Sequence, residues 1–125
     1  MDVASIERKI TDTEYQIEQV AKDREKARTR NQSAIDAATQ QVERAQGAPE
    51  DDVQAKLDID SFSSERAKVE QQLASDDQSF ADKLTQLQSE LDGLRADLVN
   101  AKSREEASKK AQLAVIAAER LLDDK

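Results

Sequence analysis

The chain has 125 residues, of which 37% are apolar, 37% charged and 2% aromatic, and it carries a net charge of −8. With so few large side chains it cannot fill a thick globular core, and its Ala, Glu, Lys, Leu and Gln bias is that of long helices. It has no His and no Cys, which removes thiolate chemistry, disulfides and the most frequent acid–base and metal-ligating groups.

The first helix starts at Asp2 or Ser5, either of which can cap it. Its apolar track is Val3, Ile6, Ile10, Thr13, Ile17 and Val20, then Arg24, Ala27, Asn31 and Ala34. That is the alternating three- and four-residue spacing of a coiled-coil seam. The track then moves to Ile35, Ala38, Val42 and Ala45, a shift resembling a four-residue stutter. Two polar residues, Arg24 and Asn31, sit on the seam. They either fix its register or lie at its edge. Tyr15 falls off the seam and reads as a surface aromatic.

Gly47-Ala48-Pro49 is the strongest punctuation in the chain. Glycine is preferred just past a helix C-terminus, and proline in the first turn of the next helix. Glu50, Asp51 and Asp52 then favour the positive N-terminal end of a second helix.

The second helix carries Val53, Leu57, Phe62, Val69, Leu73 and Phe80, followed by Leu84, Leu87, Leu91, Leu94 and Leu98. Ser61 to Ser64 is poor in helix formers. Ser75-Asp76-Asp77-Gln78 reads as a new capping box or an exposed face. Continuity through both is expected. A turn at residue 48 pairs the helices so that partner numbers sum to about 96. Val3 then faces Leu94, Ile6 faces Leu91, Ile10 faces Leu87, and Val42 faces Val53. The basic run Lys22, Arg24, Lys26, Arg28 and Arg30 lands beside Glu65, Glu70, Asp76 and Asp77.

The pairing uses up the first helix near residue 95. Beyond it, Leu113, Val115, Ile116, Leu121 and Leu122 crowd into one short segment, on nearly every helical face. A helix apolar on all sides is normally buried. Either the chain folds back near Ser103, where Ser103-Arg104-Glu105-Glu106 is a capping-box pattern, or another chain covers the segment. The expected fold is all-α: one coiled-coil domain over residues 1–125, an antiparallel helical hairpin with a C-terminal helical extension. Its parts are a helix over 3–46, a turn at 47–49, a helix over 50–100, and a segment over 103–122, continuous or folded back.

Chemistry is sparse along this framework. The carboxylates lie on solvated faces; Asp58-Ile59-Asp60 and Asp76-Asp77 lack any calcium-loop pattern, and no glycine-rich phosphate loop is present. No catalytic, cofactor-binding or metal-binding residue is expected, and no cofactor. Residues 48–100 hold 13 acidic and 5 basic side chains. An acidic body repels phosphate, so neither nucleic acid nor an anionic membrane is an expected partner. The N-terminus has no signal-peptide pattern, and the cysteine-free composition suits a cytoplasmic setting.

The stretch from Leu84 through Leu87, Glu90, Leu91, Leu94, Leu98, Ala101 and Lys102 to Arg104 resembles the returning arm of the phage-shock-protein A family hairpin. Gly47, Glu50, Asp51 and Leu57 resemble its acidic turn region. The similarity covers residues 47–104 and implies a long antiparallel helical hairpin that assembles into filaments or rings at membranes.

The expected function is that of a non-enzymatic coiled-coil scaffold, adaptor or assembly protein. Its partner would be a second copy or another helical protein, and Leu113, Val115, Ile116, Leu121 and Leu122 the contact residues. The alternatives are the membrane-associated hairpin that the resemblance implies and an acidic mimic of nucleic acid.

Overall fold

A computed structural model describes residues 2–123. Two helices, α1 (Val3–Gln46) and α2 (Val53–Asp123), pack against each other as an antiparallel hairpin, with no strand among the described residues. α2 runs unbroken through Ser61–Ser64, through Ser75–Gln78 and past Ser103, so the chain does not fold back there.

Each helix begins on an aspartate cap. The Ser5 amide donates to Asp2 Oδ1 at 2.8 Å, and the Ile6 amide to the Asp2 carbonyl at 3.1 Å. That bond to the Ser5 amide holds the Asp2 carboxyl below the usual carboxylate range. At the second helix the Ala55 amide donates to Asp52 Oδ1 at 3.1 Å. The Asp52 amide in turn closes a turn onto the Pro49 carbonyl at 3.0 Å. Pro49 therefore belongs to the turn and not to α2, and the connection spans residues 47–52 instead of 47–49. Gly47 stands just past α1 as expected, but its φ is not positive. Its amide continues the helical pattern to the Glu43 carbonyl at 3.2 Å.

Replacing Asp52 with alanine should lower stability by about 1 kcal/mol, since it orphans amides of the first turn. Asp51→Ala, one residue earlier and making no capping bond, should be nearly neutral. Chemical denaturation of both variants checks this, and equal losses would show that Asp52 is not the cap.

Contacts group into two compact units. In the first, residues 1–16 with 87–125, the buried residues are Ile6, Thr13, Leu91 and Ala101. Asp2 shares a groove with Ala101, Arg104 and Glu105, and Ile6 another with Asp97 and Asn100. In the second, residues 17–86, the buried residues are Ala27, Asn31, Ala38, Val42 and Ala55. The stutter is present in this unit: Ala34 is exposed, while Ile35, Ala38, Val42 and Ala45 carry the seam.

In each unit the facing residues add to roughly 103, not 96, about one heptad further along α2. The cause is the Asp52 cap, which starts α2 at Val53 and moves every later residue relative to α1. Two residues assigned to the α2 seam consequently fall outside it. Val53 and Leu57 are exposed, and Ala55 takes the buried position near the turn.

Candidate functional site

Two features of this fold carry more than helix packing. The first is a polar cluster within the second unit. Arg24 donates from Nε and Nη2 to the two carboxylate oxygens of Asp77, both at 2.8 Å. Arg28 donates to the same two oxygens at 2.6 and 3.1 Å. Asp77 is thus held by two guanidinium forks, the geometry in which arginine–carboxylate pairing is strongest. The Arg24 and Arg28 hydrogen bonds hold its carboxyl far below the usual range, and Asp77 raises Arg24 in return. One turn away, Asn31 is buried and donates from Nδ2 to Asp76 at 3.1 Å, and Gln72 donates to the other Asp76 oxygen at 2.7 Å.

Asn31 and Arg24 therefore both lie on the seam with defined partners across it. The Ser75–Gln78 stretch is neither a helix start nor a plain solvated face, because Asp76 and Asp77 are the acceptors of this cluster. Of the basic run, Arg24 and Arg28 both reach one of the acidic residues expected for it, Asp77, while Asp76 is taken by Asn31 and Gln72, and Glu70 pairs with Arg66. An open groove beside the cluster is lined by Thr29, Gln32, Ser33, Leu73 and Ala74. Its side chains offer no nucleophile paired with a base. Among the described residues, no group of three or more His, Cys, Asp or Glu is placed to hold a metal ion.

The second feature lies in the first unit. Ala101 is buried, but every described residue from Lys102 to Asp123 is exposed. Leu113, Val115, Ile116, Leu121 and Leu122 show between 46% and 72% of their surface. No helix among the described residues is long and apolar enough to cross a membrane.

Helical geometry divides these five residues. At 100° per residue, Val115, Leu121 and Leu122 fall in one arc of about 120° with Ala107, Ala111, Ala114 and Ala118. Leu113 and Ile116 lie on the other side of the helix, between Lys109 and Arg120. The apparent all-round hydrophobicity is therefore one apolar stripe and a separate two-residue spot. The seam positions Leu94, Leu98 and Ala101, which face α1, continue at heptad spacing as Glu105, Ser108, Gln112, Val115, Glu119 and Leu122. Beyond Ala101 that side mixes polar residues with Val115 and Leu122, which form the near edge of the stripe, while Leu121 lies farthest from it.

No family model matches this sequence. No curated protein matches it, and no solved structure matches it.

Proposed function

We infer that this chain is a non-enzymatic helical scaffold or assembly protein of the cytoplasm. It works by association of residues 102–123 with another helix, either of a second copy or of a different helical protein. One observation carries the reading: a continuous helix that leaves every one of these residues exposed while concentrating five large aliphatic side chains among them. Aliphatic surface of this extent, in an otherwise polar chain, typically marks an association site, and covering it yields about 25 cal/mol per Å² of apolar area.

The test combines mass in solution with amide hydrogen exchange across residues 104–122. In a single free chain of 13.9 kDa these amides should exchange much faster than those around Leu91. On association, with a copy or with a helical partner, they should become protected. The double substitution Ile116→Asp and Leu121→Asp should abolish association while leaving the hairpin helical. A chain that stays at 13.9 kDa with residues 104–122 as protected as Leu91 would show the segment packed on its own hairpin and overturn the reading.

A further inference from the structure

Resting on that reading of residues 102–123, we propose that the segment pairs antiparallel with the same segment of a second copy, through its alanine-to-leucine stripe. The stripe is tapered. Its N-terminal half presents alanine at 107, 111 and 114, and its C-terminal half presents Val115, Leu121 and Leu122, with Ala118 between.

Such a taper is complementary to its own reverse. About a two-fold axis between residues 114 and 115, Leu122 of one copy lies over Ala107 of the other, and Leu121 over Ser108. Ala118 meets Ala111, and Val115 meets Ala114. Each level joins a large residue to a small one or two of equal size, as interdigitated helix packing requires. A parallel pair would instead crowd the leucines at one end and face alanine with alanine at the other, leaving the gap unfilled.

Two further observations favour a second copy. Residues 101–125 carry six basic and five acidic side chains, while residues 48–100 carry five and thirteen. The extension is thus the one stretch of the acidic second half that another copy does not repel. The placement fits as well: with the axis at 114–115, residues 106–123 of one copy lie against residues 123–106 of the other, beyond the buried Ala101 of each. The side with Glu105, Gln112 and Glu119 stays in water.

The chain has no cysteine, so single cysteines report the pairing directly. Ala111→Cys and Ala118→Cys chains are oxidised separately and as an equimolar mixture. A covalent dimer should form in the mixture and not from either variant alone, because position 111 of one copy meets position 118 of the other. Adding Leu121→Asp with Leu122→Asp to both should cut the yield at least tenfold with helicity unchanged. Adding Leu113→Asp with Ile116→Asp should leave it unchanged.

Cross-linking of each variant with itself would establish a parallel pair and overturn the proposal. A dimer sensitive to Leu113 and Ile116 but not to Leu121 and Leu122 would overturn it while leaving association through the segment intact. A monomer at all concentrations with fast-exchanging amides at 104–122 would also overturn it and assign the surface to a different helical protein. A dimer indifferent to both pairs of substitutions would overturn this proposal and the functional reading together.

Discussion

Leu91→Ala should lower the stability of the chain by about 2–4 kcal/mol, the largest loss expected from any single truncation in α2. Leu91 is 3% exposed, the least of any α2 residue named in the core, and it is buried in the same unit as Ile6, at 2%, and Thr13, at 4%. Around it the seam is thin. Leu87, Leu94 and Leu98 are only half-buried, so Leu91 is the largest buried α2 side chain in its unit. Ile6→Ala should cost a similar amount for the same reason. Ser89→Ala, two residues away on the outer face, should be nearly neutral and serves as the control. Urea denaturation followed by circular dichroism measures all three. Equal losses at residues 89 and 91 would mean that α2 presents a different face to α1.

Much of this architecture is legible in the chain because its determinants are local. Asp2 caps α1 and Gly47 stands just beyond its end, so the bounds Val3–Gln46 agree with the expected ones to within a residue. The stutter is visible because Ala34 and Ile35 are adjacent and only the larger one continues the spacing of Ala38 and Val42. The register is different in kind. It depends on where α2 starts, and Pro49 offers a plausible first turn that the Asp52 cap overrides. A heptad repeat tolerates displacement by a whole heptad, since apolar residues then meet other apolar residues; a few residues in the turn decide the matter.

The polar cluster was legible only in part, as a basic run facing acidic residues across the hairpin. Ser75-Asp76-Asp77-Gln78 has the local pattern of a cap, and nothing within those four residues reveals that both guanidinium forks close on Asp77 while Asn31 takes Asp76. The five aliphatic residues near the C-terminus were legible as exposed apolar mass. Their division into a stripe and a separate spot becomes meaningful only once α2 is known to run straight through Ser103, fixing which side faces α1.

The same cluster should make the stability of the hairpin depend on acid in a way that one substitution removes. Asp77 is ionised well below the usual carboxylate range because the Arg24 and Arg28 forks favour its charged form. A carboxylate depressed on folding contributes stability above its unfolded pKa of about 3.9, and that contribution is lost only as pH falls toward the depressed folded value. Between about pH 4 and pH 2 the native chain should therefore lose stability progressively as protons compete with the two arginines. Asp77→Asn should flatten that part of the profile and leave Arg24 and Arg28 facing each other with no anion between them. Its loss near pH 7 should exceed that for breaking the exposed Lys22–Glu18 pair, a type of contact worth only ~0.2–1 kcal/mol. Arg24→Lys should fall between, because lysine keeps the charge and lacks the fork. Added salt should weaken the effect only in part, since Arg24 and Asp77 side chains are 25% and 30% exposed. Thermal melts of native, Asp77→Asn and Arg24→Lys chains from pH 2 to 7 measure the whole series. A native profile that parallels that of Asp77→Asn over the acid range would show that the cluster does not hold α1 against α2.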